Sequence, residues 1–273
     1  MPSNGHLSLP RFDAPPVIET LLSIEFSQIA SLGIPHYGLY WDRIRNDFPK
    51  YEIKPPLGSQ VEDFGPRRPL AIQIQSVELP ALRCWFISED ETRLVQIQND
   101  RFIYNWRKEA TAETYPHYEQ SIKPAFIKEF RRFAAFVSSA TKSTIEVRQC
   151  EVTYVNHFER GREWKSPADV SEIFNCWSIK RDEAFLPAPE DITFQIRYRL
   201  PEDSGRLYVA LQPALRKRDG EEVLQMALTA RGKPKGEDLD SALAWLDLGR
   251  EWVVRGFADL TTKKMHDLWK RTH

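Results

Sequence analysis

Hydrophobic positions recur along this chain at two spacings, every second residue and every third or fourth. The switches between them predict the order of elements. Val17 to Phe26 (VIETLLSIEF) is β-rich and follows Pro15-Pro16, which no helix continues through, so it reads as the first strand. In residues 34–48, Tyr37, Trp41, Ile44 and Phe48 fall on one helical face. Pro49 and the pair Pro55-Pro56 then predict irregular chain. Strands are expected at 70–75 (LAIQIQ), 82–88 (LRCWFIS), 93–98 (RLVQIQ) and 101–107 (RFIYNWR), with Asn99-Asp100 turning the last hairpin. Ile122, Phe126, Phe130, Phe133 and Val137 mark a long amphipathic helix that begins near Tyr115-Pro116.

From residue 145 the order recurs. A long strand is expected at 145–158, and Ser166-Pro167 caps a short helix over 168–177. Strands at 192–200 and 206–215 follow, and Asp219-Gly220 predicts a type I′ turn into a strand at 222–230. Asp240-Ser241 caps a C-terminal helix with Leu243, Leu246, Trp252 and Phe257 inward and a break near 259–262. The expected fold class is therefore α+β. It has an N-terminal arm (1–16) and two similar halves (17–141 and 142–273), each an antiparallel sheet covered by helices on one face. Element order carries this duplication; residue identity does not.

Composition narrows the function classes. The 273 residues carry 38 basic and 39 acidic side chains. The balance holds within each half, since residues 1–141 carry 16 basic and 17 acidic. Neither half is a basic nucleic-acid module. No apolar run reaches the roughly 18 residues of a membrane span. The first residues lack a secretory layout, and Cys84, Cys150 and Cys176 have neither disulfide nor zinc spacing. These features lead us to expect a cytoplasmic protein with reduced cysteines, no metal, no cofactor and no membrane partner.

The clearest candidate surface lies on the strands. Gln73, Gln75, Gln96, Gln98, Gln195, Gln212 and Gln225 alternate with apolar residues, and Arg83, Arg101, Arg107, Arg197 and Arg199 join them. Gln both donates and accepts, and Arg offers a planar fork, so an exposed face of this kind suits a protein, peptide or nucleic-acid partner. A plainer origin exists, because one face of an antiparallel sheet commonly meets water. Recognition through this face requires Gln96, Gln98 and Arg101 to lie exposed. Arg216, Lys217 and Arg218 at a hairpin tip, with Arg231, Lys233 and Lys235 beyond, are candidate phosphate contacts, diluted by Asp219, Glu221 and Glu222. Catalytic motifs are lacking. His36, His117, His157 and His266 stand alone, and alternation puts Cys150 and His157 on opposite faces. Tyr115, His117 and Tyr118 read as packing and capping residues.

The strings APPVIETLLSIEF (14–26), FPKYEIKPPL (48–57), RCWFISED (83–90), LVQIQNDRFIYNWRK (94–108), YPHYE (115–119) and EVTYVNHF (151–158) resemble an uncharacterised, sporadically distributed bacterial protein family. That resemblance covers mainly residues 14–160 and brings no catalytic residues. It implies an accessory system of the phage-defence or toxin–antitoxin type, and hence a non-catalytic recognition protein whose partner is another protein or a second copy. Two alternatives remain: an enzyme with its site between the halves, and a nucleic-acid binder using the Gln/Arg face.

Overall fold

The computed structural model describes residues 8–59, 61–64, 82–109, 114–178 and 185–273. Its first strand, β1 (Val17–Phe26), sends Leu22, Ile24 and Phe26 to one face and Ser23 and Glu25 to the other. α1 (Ile34–Ile44) follows with Pro35 in its first turn and Tyr37, Tyr40 and Ile44 inward. Where the prolines predicted irregular chain, Lys50–Lys54 forms β2, an edge strand bounded by Pro49 and Pro55. Proline is compatible with the ends of an edge strand, and the lysines there discourage further pairing.

β3 (Arg83–Ile87), β4 (Arg93–Gln98) and β5 (Arg101–Arg107) form the expected meander with its turn at Asn99-Asp100. The strand expected at 70–75 lies outside the described residues. One π-type turn, Tyr118–Ile122, leads into α2 (Lys123–Thr141), where Phe126, Phe130, Phe133 and Val137 face the sheet as expected. β6 (Val147–Glu159), the short α3 (Val170–Ile173), β7 (Phe194–Arg199), β8 (Arg206–Leu215) and β9 (Glu222–Gly232) complete the sheet. Pro213 lies in β8 past the last β7 pair, where that strand is an edge. The turn between β8 and β9 is not the two-residue type I′ turn that Asp219-Gly220 predicted. Arg216 and Glu221 close a longer loop in which Gly220 takes positive φ.

α4 (Leu239–Leu260) is capped by Asp238, whose carboxylate accepts from the Ser241 amide, so the cap lies two residues before its predicted place. Its buried stripe is Ala242, Trp245, Leu246, Gly249, Val253 and Phe257; Leu243 and Trp252 flank it half-buried. The expected break separates α4 from α5 (Lys263–Leu268).

The strands join into one antiparallel sheet, ordered β2-β3-β4-β5-β1-β6-β9-β8-β7. Two sheets were expected. β1 and β6 instead pair along nearly their whole length, from Val17↔Asn156 to Phe26↔Val147, and fuse them. Outward from this seam the orders β1-β5-β4-β3-β2 and β6-β9-β8-β7 are alike. That likeness of order does not confirm a duplication: among the described residues the first side has five strands and the second four, and the 11-residue α1 stands opposite the one-turn α3.

Among the described residues, helices cover one face only. On the N-terminal side Phe102 packs 5.3 Å from Phe133, and Tyr40 lies 5.2 Å from Phe136, between ring centroids. On the C-terminal side Trp269 stacks on Phe158 at 5.5 Å, and Trp245 wedges over two glycines. A Cβ on Gly232 would sit 2.1 Å from the Ser204 carbonyl oxygen and 2.7 Å from the Trp245 ring, which donates its indole N–H to that same oxygen. Gly232→Ala is therefore expected to cost about 1–3 kcal/mol by overpacking. Gly38→Ala in α1, where a Cβ meets nothing within 4 Å, should stabilise by up to about 1 kcal/mol. Thermal unfolding of the two variants, expected to shift in opposite directions, checks this.

Candidate functional site

The registers place the described Gln and Arg candidates on one face, the one without helices. Arg83, Gln96, Gln98, Arg101 and Arg107 come from β3, β4 and β5, and Gln225 and Arg231 from β9. Gln212 on β8 and Gln195, Arg197 and Arg199 on β7 complete the set. Gln73 and Gln75 lie outside the described residues. Alternation thus sorts the faces correctly, and Cys150 and His157 do point apart. Of the cysteines, Cys84 and Cys150 are buried and Cys176 is exposed.

Exposure is where the expectation fails. Gln96 and Gln98 are each 3% exposed and Arg101 6% exposed. The polar surface on that side is an interior, roofed by the chain that leaves β2. Leu57 donates its amide to Gln98 Oε1 (2.9 Å) and accepts from Gln98 Nε2 at its carbonyl (3.0 Å), as a neighbouring strand would. Arg101 Nη2 donates to Glu25 (2.6 Å) and to the Gly58 carbonyl (3.3 Å), and the Ser59 hydroxyl donates to the other Glu25 oxygen. The Glu62 amide donates to Gln149 Oε1 (2.8 Å). Its carboxylate receives the Tyr208 hydroxyl (2.6 Å) and Arg206, and Phe64 lies under the Arg206 guanidinium at 4.3 Å. Residues 55–59 and 61–64 thus form a strap that crosses the strands from β4 to β8. The predicted recognition face is, in that region, a binding site already filled by the chain itself.

Beside the strap runs a cross-strand relay. Arg83 donates to Gln96 (3.0 Å), Gln96 to Asn105 (2.8 Å), and Asn105 to the Glu19 carboxylate (2.6 Å). It ends in a groove of about 420 Å³ over the β1–β6 seam, open to solvent. Glu19, Val155, His157 and Gln225 form its floor, and Trp85 and the exposed Leu215 its sides. Arg107 and Lys108 rim it on one side, and Arg162, Arg216, Lys217 and Arg218 on the other. Arg107 is oriented by the Glu91 carbonyl at 2.9 Å. Arg216 is held by Glu159 (2.7 Å) and Asp219 (2.8 Å), and Arg218 leans on Asp219.

Burial pushes Glu19 up from 4.5, opposed by the Asn105 hydrogen bond and by Arg107 and Lys217. Burial pushes His157 below 6.5, while its bond to Gln225 Oε1 (3.1 Å) opposes the shift.

The other candidates disperse. Arg231 belongs to β9, where Glu151 holds it at 2.6 Å, so it is no loop contact. Lys233 and Lys235 are exposed beyond the strand. Gln195, Arg197 and Arg199 are exposed near the far edge, with Arg199 paired to Asp203. The sequence reading overlooked Glu19, Trp85, Asn105 and Glu62. The first three share the parity of the Gln/Arg set, a signal that was available; the position of Glu62 was not. Neither a scan against protein-family models nor a search of curated proteins finds a match for the chain.

Two outcomes follow. Arg101→Met strands the Glu25 carboxylate beneath the strap and should cost about 3–5 kcal/mol. Adding Glu25→Leu should recover most of it in urea denaturation. For Glu19, the folded state binds its proton more tightly than the unfolded chain, so stability falls as pH rises through 4.5 toward the raised value. Glu19→Gln keeps the acceptor for Asn105 and removes that loss. The variant should gain stability over the parent between pH 4 and pH 7, read from urea midpoints at the two values.

Proposed function

We propose that this chain is a non-catalytic recognition protein of an accessory bacterial system, of the phage-defence or toxin–antitoxin type, that holds an acidic segment of a partner protein in the seam groove. The system type rests on the family resemblance. The partner's chemistry rests on the groove, whose lining of six cations, on both its sides, against three carboxylates (Glu19, Glu109 and Glu159) carries the reading. A cationic rim steers an acidic partner and fixes its register, while Trp85 and Leu215 offer apolar contact. The Gln/Arg face contributes through the part that borders the groove, Arg107, Gln225 and the 216–218 tip; the strap covers Gln98 and Arg101, and Gln195, Arg197 and Arg199 lie exposed at the far edge. Nucleic acid is the less favoured partner, since Glu19, Glu159 and Asp219 lie among the cations.

A second reading, an enzyme with its site between the halves, is favoured by one observation. Glu19 and His157 line the same groove on adjacent seam strands, and burial pushes them in opposite directions from their ordinary values.

Cross-linking of the purified chain in lysate of its native host, read by mass spectrometry, tests the first reading. A partner should cross-link through Lys108 and Lys217 and be lost about tenfold or more with Lys217→Glu/Arg218→Glu. Retention of the partner by that variant, or cross-links only at distant lysines such as Lys142, would overturn it. Affinity for duplex DNA or RNA that falls steeply with salt would move the assignment to nucleic acid.

A further inference from the structure

On the helix-covered side of the seam, behind the groove, lies a second cavity of about 230 Å³. The N-terminal arm, the π-type turn before α2, and α4 wall it, and β6 forms its floor. Its walls are largely rings: Phe12, Tyr115, Tyr118 and Phe257. A cavity of about 150 Å³ lined by apolar side chains holds benzene. This one has room for two fused rings.

Beside Arg11, which bonds to His117 at 2.9 Å, two polar side chains against the cavity have buried atoms that lack partners among the described residues. Asn156 on the floor is 1% exposed. Its amide nitrogen reaches the Met226 carbonyl at 3.4 Å, but its Oδ1 has no donor among the described residues. Across the cavity the Arg250 guanidinium lies 4.5 Å over the Tyr118 ring, with Glu119 at 3.6 Å from Nη1. Its buried Nε has no acceptor among the described residues. One of the Tyr115 and Tyr154 hydroxyls donates to the other at 2.7 Å, and Arg250 also donates to Tyr154. A buried acceptor without a donor and a buried donor without an acceptor each cost about 1–3 kcal/mol, and native structures rarely leave both in one cavity. A ligand that supplies an N–H and a carbonyl satisfies the two together. The charge of Arg250 is already matched by Glu119, so a neutral ligand avoids burying a further charge.

We propose that this cavity is a binding site for a small, neutral, planar bicyclic heteroaromatic of the oxopurine type. It would lie between the aromatic walls, donate to Asn156 Oδ1 and accept from Arg250. The site is distinct from the groove and stands whether or not the groove binds a partner. It also gives Tyr115 and Tyr118 a role beyond the packing and capping expected of them.

Calorimetric titration of the full chain with hypoxanthine tests this, with benzimidazole as a bicycle that lacks the carbonyl. Hypoxanthine should bind with Kd well below about 1 mM and at least about tenfold more tightly than benzimidazole. Asn156→Leu should weaken binding of both probes, since each donates an N–H to Oδ1, and leave hypoxanthine the tighter of the two through its carbonyl. Because Asn156 is a buried strand residue, a second variant, Val254→Trp, fills the cavity from its half-buried rim. It should abolish binding of both probes while circular dichroism and thermal midpoint stay near those of the parent. No binding of hypoxanthine up to about 1 mM would overturn the proposal. So would binding that survives Val254→Trp, or equal binding of the two probes.

Discussion

The antiparallel pairing of β1 with β6 is the contact on which the rest of the molecule depends. It joins residues about 130 positions apart in sequence, and it turns what would be two half-sheets with exposed edges into one sheet without an edge at its centre. Each strand of the pair alternates strongly. Leu22 and Ile24 meet Val152 and Cys150 on the helix side, while Ser23 and Glu25 meet Glu151 and Gln149 on the other. The seam therefore has an apolar face and a polar face, and a cavity lies over each. The aromatic cavity is walled by helix α4 and the arm, and the groove by strand ends and the 216–218 tip.

On the polar face the governing constraint is satisfaction of buried polar groups. A single covering segment can bury Gln98, Arg101, Glu25 and Gln149 only if it matches their donors and acceptors. The strap does so largely with backbone groups at Leu57, Gly58 and Glu62, and with the Ser59 hydroxyl. A chain with few side-chain demands of its own can lie across strands in this way. Glu62 and Phe64 then anchor its far end on Tyr208 and Arg206. The network fixes register as well as cover, since shifting the strap by one residue would leave both bonds between Gln98 and Leu57 unmade. The open groove persists where the strap is not: its floor residues Glu19, His157 and Gln225 lie toward the opposite ends of the strands from Glu25 and Gln149.

Legibility in the sequence followed the range of the interactions. The bounds of β1, β4, β5 and β8 follow from alternation and turn residues, and the α2 stripe from Phe126 to Val137 follows from helical spacing. β2 escaped because two exposed prolines mark its limits, and local rules read prolines as breaks without knowing that an edge was available. The α4 stripe was misplaced by a residue or so because Ala242 and Gly249 face the sheet. Their small size lets the helix approach the sheet and Trp245 fill the gap, and small residues carry no hydrophobic signal.

The same division holds for the site. Which side chains share a face was decided by the sequence alone, because strand alternation is geometric and local, and it gathered Arg83, Gln96, Arg101, Arg107 and Gln225 correctly. Whether that face meets water was decided only by tertiary structure. Burial of Gln98 and Arg101 depends on where residues 55–59 and 61–64 run, a path that no periodicity encodes, since those residues have neither strand nor helix structure. The groove and the aromatic cavity likewise exist because β1 and β6 pair across most of the chain's length. Composition and local pattern specify the elements and their faces; the long-range pairing specifies which of those faces are left for a ligand.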